Sequence, residues 1–383
     1  MFENKAVHNL TNKLPAIIIA AIAGVFFLTC SAAAIDTAPM LKVSVAAGDD
    51  CTLKAEQGLL IYYGDGNSIT HAGPLKLQAK GGYILSDAPE ICAKEVLVYP
   101  VSGFIRAGSR EYRGGILAAA GKSGLNVINI INVEEYLYGV IKMEISTKWP
   151  VESVKAQAIA ARTWAIKSAG KHAESGFDLC SGTHCQVYGG VGAEDSEAIQ
   201  AVRETEGEIL MYEDEPAFTP FHAACGGELA SSEDVWGQDY PYLSRKKDPY
   251  CKNSPYRYWE KAYKKGDLER LLSGQGLWIT GIKRIILKKR SGRTTQLVFI
   301  GKGNKKVTIS SHKFRLLMGS NSIKSTYFSK IEIRRNDVLF CGFGWGHGVG
   351  MCQWGARYQA EAGRDYREIL KFYYPRLNIE KKY

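Results

Sequence analysis

Cysteine and histidine side chains form the densest groups of reactive residues in this chain. Eight of its nine cysteines follow residue 34. Cys180 and Cys185 are a close pair beside His184, whereas Cys225 and Cys251 flank a loop-rich stretch. Thiolates and imidazoles bind zinc, and thiols pair as disulfides in oxidising compartments. We expect a Cys225–Cys251 disulfide, with metal ligation as its alternative; for Cys180 and Cys185 the sequence leaves metal binding, a disulfide and free thiols open.

An arginine lies at the edge of an apolar helix face. After Trp149-Pro150, apolar residues recur at three- and four-residue spacing as far as Gly170, which predicts an amphipathic helix with proline in its first turn. Arg162 falls about 20° from the edge of this apolar stripe. We therefore expect it to be partly buried, bound to a carboxylate, a carbonyl or an anionic ligand. A solvated arginine whose stem covers apolar surface is the alternative.

A glycine-rich loop displays several large side chains. Five of the nine residues 342–350 are glycine, and Trp345, His347 and Trp354 lie in or just after this segment. The loop lacks the Gly-Lys-Ser/Thr ending of a phosphate-binding loop, so it gives little support to nucleotide binding. Its composition indicates close backbone approach to another group.

The elements that must position these residues fall into two regions. Short alternating segments at 41–45, 59–63 and 95–99 predict strands, and a more continuously apolar strand is expected at 125–131. Later segments predict helices at 194–205 and 365–372 and further strands at 281–309. We predict an α+β protein with a β-rich part over residues 35–133, followed by a mixed α/β catalytic region with a substrate cleft over residues 134–375.

Composition and charge limit the partners. With 383 residues, 45% of them apolar, and a net charge of +10, a disordered or fibrous protein is excluded. Residues 1–34 resemble a secretory signal peptide, because Lys5 and Lys13 precede an uncharged stretch and an Ala-x-Ala pattern; a retained anchor or lipidation at Cys30 remains open. We expect an extracytoplasmic protein with an anionic partner, touching a membrane only through a retained anchor. Nucleic acid is disfavoured, because the bases of residues 281–309 are not interleaved with stacking aromatics.

Three blocks of sequence together resemble the stage II sporulation protein D family, also called the SpoIID/LytB domain. The first is residues 133–145 (VEEYLYGVIKMEI) with Trp149-Pro150 and residues 155–163 (KAQAIAART). The second is residues 183–190 (THCQVYGG), and the third is residues 344–351 (GWGHGVGM) with 353–356 (QWGA). The blocks occur in the family's order.

The resemblance implies a lytic transglycosylase that cleaves peptidoglycan glycan strands stripped of stem peptides and leaves 1,6-anhydro ends. It implies that Glu144 is the general acid and base and that Arg162 assists, which we interpret as binding the lactyl carboxylate of the substrate. Glu144 is expected at the junction of a strand-like segment and the following helix, with a raised pKa. Further substrate-binding positions are assigned along the cleft: Gln157, Gln186, Tyr188, Trp345, His347 and Gln353.

The resemblance also implies a possible zinc site. His172, Cys180 and Cys185 match a zinc-binding trio of some family members, and His184 is a rival ligand. No cofactor is required for the proposed chemistry itself. Because the family includes modifiers of cell-wall amidases, the alternative function is a non-catalytic, peptidoglycan-binding activator of such an amidase; a zinc-dependent hydrolase is a third hypothesis.

Overall fold

The computed structural model describes residues 37–64, 66–121, 124–290 and 292–383. The α+β class predicted from the sequence is confirmed, since strands gather in several sheets and helices lie between them. The predicted signal peptide at residues 1–34 lies outside the described residues. Within those residues, every helix is too short or too polar to cross a membrane.

The chain divides into two compact units. Among the described residues, the first unit contains 37–144, Ser168–Glu194 and the last two residues, Lys382 and Tyr383. The second unit contains Ile145–Lys167 and Asp195–Lys381. The chain therefore leaves the first unit after Glu144, returns to it at Ser168 and leaves it again after Glu194. The boundary expected at residue 134 does not coincide with this division.

The first unit is built on two antiparallel-rich sheets. Its strands are β1 (Met40–Gly48), β2 (Asp50–Lys54), β3 (Leu59–Tyr63), β4 (Asn67–His71), β5 (Leu75–Lys80), β6 (Tyr83–Ser86), β7 (Cys92–Ala93), β8 (Glu95–Pro100), β9 (Ile105–Ala107), β10 (Arg110–Tyr112), β11 (Gly115–Gly121), β12 (Gly124–Asn132) and β13 (Leu179–Cys180). One sheet has the order β13-β1-β12-β11-β8-β3-β4 and the other β10-β9-β2-β5-β6-β7. Alternate residues of these strands, such as Leu59 and Ile61 or Val96 and Val98, are buried, as the period of two predicts.

The helix α1 (Val133–Glu144) follows β12 directly. The Asn132 side chain accepts a hydrogen bond from the N–H of Glu135 at 2.9 Å and donates one to the Glu135 carboxylate at 3.0 Å, which caps the helix. Buried apolar residues recur along one face at Val133, Tyr136, Leu137, Val140 and Ile141. The expectation of a strand-like segment before Glu144 is therefore wrong: this spacing is helical, and Glu144 is the last residue of the helix.

The second unit contains the remaining elements. Its helices are α2 (Val151–Lys167), α3 (Ser196–Glu204), α4 (Ser232–Trp236), α5 (Lys265–Ser273), α6 (Ser311–Met318), α7 (Gln353–Glu361) and α8 (Tyr366–Tyr373). Its strands are β14 (Glu208–Tyr212), β15 (Glu215–Pro216), β16 (Phe221–His222), β17 (Glu228–Leu229), β18 (Lys246–Lys247), β19 (Tyr258–Lys264), β20 (Arg284–Arg290), β21 (Arg293–Ile300), β22 (Lys306–Ser310), β23 (Phe328–Ile333), β24 (Asp337–Phe343), β25 (Met351–Cys352) and β26 (Asn378–Lys381). They form small sheets of two or three strands.

Two apolar clusters hold this unit together. One gathers around α2, α7 and α8, and the other around α5, α6 and the strands β19 to β24. The helix predicted after Pro150 is confirmed as α2, and it packs against α3, α7, α8 and β14. Because neighbours cover it on several sides, small residues such as Ala156, Ala160 and Ala165 are completely buried.

None of the eight cysteines in the part of the chain that the structure describes forms a disulfide. The disulfide expected between Cys225 and Cys251 is therefore absent. Both thiols are buried, and a third buried cysteine, Cys352, lies beside them.

Candidate active site

Glu144 ends helix α1 with its carboxyl group turned toward the loop that carries the second sequence block. Its Oε1 atom accepts a hydrogen bond from the backbone N–H of Val187 at 3.2 Å. Burial raises the pKa of the Glu144 carboxyl above its ordinary value, and the Val187 hydrogen bond acts in the opposite direction. A carboxyl group in this environment holds its proton to higher pH than a solvated glutamate, as a general acid requires.

A glycine allows the Val187 loop to approach the helix. A Cβ atom at Gly139 would lie 2.7 Å from the Tyr188 ring and 3.0 Å from the carbonyl oxygen of Gly190. The N–H of Gly189 donates to the Gly139 carbonyl at 3.0 Å. The absence of a side chain at Gly139 thus permits the close contact between helix and loop, and this contact brings the Val187 N–H to the Glu144 carboxyl group.

Buried tyrosines fix the same loop from the other side. The Tyr188 hydroxyl donates to Oδ1 of Asn129 on β12 at 2.8 Å, and the Tyr136 hydroxyl donates to Oε1 of Gln186 at 3.2 Å. Burial, and after it the charges of Cys185 and Glu144, raise the pKa of Tyr136 well above its ordinary value, so that it remains a donor. Gln186 and Tyr188, predicted to bind substrate, are instead almost fully buried and hold the loop in place.

Four potential zinc ligands converge next to this loop. The ligand atoms of His172, Cys180, His184 and Cys185 all lie within 4.8 Å of one another. Nε2 of His172 is 3.3 Å from Sγ of Cys185, and Nδ1 of His184 is 3.8 Å from Sγ of Cys180 and 3.7 Å from that of Cys185. Cys180 is placed by the parallel pairing of β13 with β1.

The donor set fits zinc. Two thiolates and two imidazoles are a common tetrahedral set, and four protein ligands close the coordination sphere, as in structural sites. The structure brings the predicted trio together and adds His184 as a fourth donor. Burial raises the pKa of the Cys185 thiol to about 11, so an ion that binds here must displace its proton.

Arg162 is completely buried in the second unit, whereas its position at the edge of the apolar stripe predicted only partial burial. Its Nη1 donates to the Glu208 carbonyl at 3.1 Å, and its Nη2 donates to the Val202 carbonyl at 3.1 Å. The guanidinium therefore binds the end of α3 and the start of β14. The sequence predicted a carboxylate, a carbonyl or an anionic ligand as the partner of Arg162, and the partners in the structure are carbonyl oxygens. This geometry favours a structural role for Arg162 over contact with a substrate carboxylate.

Two other predicted substrate-binding residues are buried in the second unit. Nε2 of Gln353 donates to Oε1 of Gln157 at 3.2 Å, which joins α7 to α2. Gln157 is fully buried and Gln353 nearly so. Both amides contribute to the packing of these helices, a role that the first and third sequence blocks did not reveal.

His347 is held by the backbone around it. Its Nε2 lies 3.0 Å from the Phe221 carbonyl, and its Nδ1 accepts from the Val349 N–H at 3.1 Å. Burial, and next the charge of Arg315, lower the pKa of His347 to about 3. The imidazole is thus neutral at physiological pH and has both nitrogens occupied, which suits a structural histidine.

Aromatic rings form a partly exposed group in the second unit. Trp345 packs edge-on against Tyr256 at 4.7 Å, and Nζ of Lys324 lies 5.0 Å from the Trp345 ring centre. Trp149 and Trp354 are 4.8 Å apart, with the Arg357 guanidinium over both rings. Sugar rings stack on such surfaces. Sequence reasoning assigned only Trp345 to the glycan; Trp149 and Trp354 lie in the first and third blocks, but their pairing depends on the fold.

The fold and the first unit define a class of protein: an α+β protein with a partly buried carboxyl group at a helix end and, near it, a group of two cysteines and two histidines. Residues 121–212, which contain both features, match the family model "SpoIID: Stage II sporulation protein". The chain belongs to the SpoIID family.

Proteins from several bacteria are 28–35% identical to this chain over 62–75% of its length. The chain is 35% identical to an uncharacterized protein of Brachyspira hyodysenteriae over 75% of this chain and 77% of that protein. It is 30% identical to the amidase enhancer of Bacillus subtilis over 62% of this chain, but it spans only 39% of that protein's length. It is 28% identical to stage II sporulation protein D of Bacillus amyloliquefaciens over 66% of this chain and 75% of that protein.

Proposed function

We propose that this protein acts on the bacterial cell wall as a lytic transglycosylase of peptidoglycan glycan strands, with Glu144 as its general acid and base. The observation that carries the proposal is the partly buried carboxyl group of Glu144, which accepts a hydrogen bond from the Val187 N–H and whose pKa burial raises. Membership of the SpoIID family supports a cell-wall role. The proposed site of action is extracytoplasmic, in the periplasm or cell envelope.

The reaction needs one carboxyl group. Protonated Glu144 donates its proton to the oxygen that links N-acetylmuramic acid to N-acetylglucosamine, and the C1–O bond breaks with oxocarbenium-like character. The carboxylate then accepts the proton of the C6 hydroxyl as that oxygen bonds to C1. The products are a free 4-hydroxyl and a 1,6-anhydro end, and Glu144 is protonated again.

The surroundings of Glu144 support both halves of this cycle. Burial favours the neutral acid before bond cleavage. The Val187 N–H stabilises the carboxylate that forms when the proton leaves, because an amide dipole aimed at the oxygen is most favourable to the charged form.

We also propose that His172, Cys180, His184 and Cys185 bind zinc in a structural role. The ion would supply a rigid tetrahedral crosslink, since four protein ligands leave no position for a substrate. Cys185 is two residues before Val187, so the crosslink would hold the N–H that faces Glu144.

The net charge of +10 suits the proposed partner. Glycan strands stripped of peptides carry free lactyl carboxylates, and opposite charge brings such a polyanion to the surface at low salt. We propose no nucleic-acid partner, and membrane contact only through an N-terminal anchor if one is retained.

A second candidate is a non-catalytic activator of a cell-wall amidase. The similarity to a protein named amidase enhancer favours it. In that case Glu144→Gln would leave the stimulation of a partner amidase intact, whereas a transglycosylase would lose its activity.

Product analysis separates the two. The purified protein is incubated with peptide-free glycan strands, and the fragments are identified by mass spectrometry. Fragments with 1,6-anhydro ends support the transglycosylase. Reducing ends alone, or intact strands, would remove it and leave the activator.

A further inference from the structure

A second group of metal-binding side chains lies inside the other unit. It consists of Cys225, Asp248, Cys251 and Cys352, whose ligand atoms all lie within 4.8 Å of one another. Each of these residues is at most 1% exposed. The group belongs to the second unit and is separate from the cysteines and histidines near Glu144.

Three separate segments of the chain bring the group together. The parallel pairing of β16 with β25 sets His222 opposite Cys352 and thereby places the Cys225 loop beside it. Asp248 precedes a 3₁₀ turn, Pro249–Asn253, and its Oδ1 accepts from the N–H groups of Tyr250 at 3.0 Å and Cys251 at 3.3 Å. Cys352 caps the N-terminus of α7.

Backbone N–H groups are directed at the sulfur atoms. The Sγ atom of Cys352 accepts from the N–H groups of Cys225 at 3.3 Å and Gly355 at 3.4 Å. The Sγ atom of Cys225 accepts from the N–H of Gly227 at 3.3 Å. Such donors stabilise negative charge on sulfur, which a metal-bound thiolate carries and a disulfide does not.

The carboxyl group of Asp248 is oriented toward the thiols. Its Oδ2 accepts from the Tyr373 hydroxyl at 3.0 Å and lies 3.2 Å from Sγ of Cys225. A Cβ atom at Gly355 would lie 2.6 Å from Oδ2, so glycine there allows α7 to approach the carboxyl group. A carboxylate buried among thiols is costly unless it is paired or binds a metal.

A buried arginine lies next to the group. Arg293 is 4% exposed, and its Nη2 donates to the Cys225 carbonyl at 2.9 Å and to the Glu228 carbonyl at 2.7 Å. Three thiolates and one carboxylate around a divalent ion form an anionic centre. The guanidinium beside it offsets part of that charge.

We propose that Cys225, Asp248, Cys251 and Cys352 bind a zinc ion that crosslinks the core of the second unit. Thiolate-rich sites select zinc over hard cations, and a tetrahedral zinc places its sulfur ligands about 3.8 Å apart, within the span of this group. Four protein ligands leave no open position, so the role is structural. The inference does not depend on the proposed catalytic activity.

The test measures zinc per chain in the wild type, Cys251→Ser and Cys341→Ser, purified in parallel with zinc present. Cys341 is the matched control, a buried cysteine of the same unit that lies outside the group. Cys251→Ser should carry about one zinc fewer than the wild type, and Cys341→Ser the same amount as the wild type. Equal zinc in Cys251→Ser and the wild type would overturn the proposal.

Two further measurements address two other outcomes: a disulfide within the group, and a Cys251→Ser variant that does not fold. Peptide mapping of the non-reduced wild type should recover Cys225, Cys251 and Cys352 as thiols; a peptide pair linked through any two of them would overturn the proposal. Asp248→Asn preserves the side-chain shape, so it serves if Cys251→Ser does not fold. This variant should lose zinc to a chelator faster than Cys341→Ser, and an unchanged rate would count against the site.

Discussion

The carboxylate of Glu144 and the backbone N–H of Val187 are 3.2 Å apart. One belongs to the end of α1 and the other to the loop that follows the cysteines and histidines of the first unit. This hydrogen bond connects the proposed acid to the loop that carries Cys185, one of the proposed metal ligands. The acid's protonation, the packing of the loop and the binding of zinc can each be perturbed separately.

Glu144→Gln should stabilise the protein at neutral and alkaline pH. Because burial raises the folded-state pKa of Glu144 above the unfolded value, the folded state binds more protons between these two pKa values, and stability falls as the pH rises through that interval. The glutamine does not titrate. The Tm of Glu144→Gln minus that of the wild type should therefore be larger at pH 8 than at pH 4. A pH of 4 is roughly the ordinary pKa of glutamate. A difference independent of pH would contradict a raised pKa.

Gly139→Ala should destabilise the first unit. The added methyl group would press on the Tyr188 ring, 2.7 Å away, and overpacking of this kind costs about 1–3 kcal/mol. Urea unfolding measures the loss. Gly192→Ala is the matched control, because a Cβ there meets no atom within 4 Å. Equal stability of the two variants would show that the loop does not depend on this contact.

His184→Ala should weaken zinc binding in the first unit. The structure places its imidazole among the other three donors, so its removal opens the coordination sphere. We expect the variant to release zinc at a lower chelator concentration than His71→Ala, whose histidine lies outside the group. If both variants retain zinc equally, His184 is not needed as a ligand, and His172, Cys180 and Cys185 alone hold the ion.

Arg162→Met should destabilise the second unit by about 2–4 kcal/mol, because it leaves buried carbonyl oxygens of Val202 and Glu208 without their charged donor. Denaturant unfolding measures the effect, with the exposed Arg335→Met as control. A variant as stable as the control but with a raised KM for glycan strands would restore the substrate-binding role expected from the sequence.

Local patterns predicted much of the fold. The alternation at 41–45, 59–63 and 95–99 corresponds to β1, β3 and β8, and the helix after Pro150 is α2. The helix before Glu144 was missed, although its apolar spacing and the Asn132–Glu135 cap are visible in the sequence.

The site was predicted less completely, because burial and contacts between distant segments are not local properties. Glu144 and Cys185 occur in recognisable blocks, whereas His172 and Cys180 lie outside them. The polarity of Gln157, Gln186 and Gln353 suggested positions along a substrate cleft. These amides are buried because segments far apart in the chain pack together, and the same packing supplies their partners, as in the bond between Gln157 and Gln353. The Cys225–Asp248–Cys251–Cys352 group likewise depends on three separate segments.

The central claim is that Glu144 delivers the proton in glycan cleavage. The most direct measurement is the rate at which 1,6-anhydro ends form from peptide-free strands, compared for the wild type, Glu144→Gln and the exposed control Glu90→Gln. Loss of a general acid predicts a rate at least about 100-fold lower for Glu144→Gln, with Glu90→Gln unchanged. Equal rates of 1,6-anhydro formation in all three proteins would contradict the account.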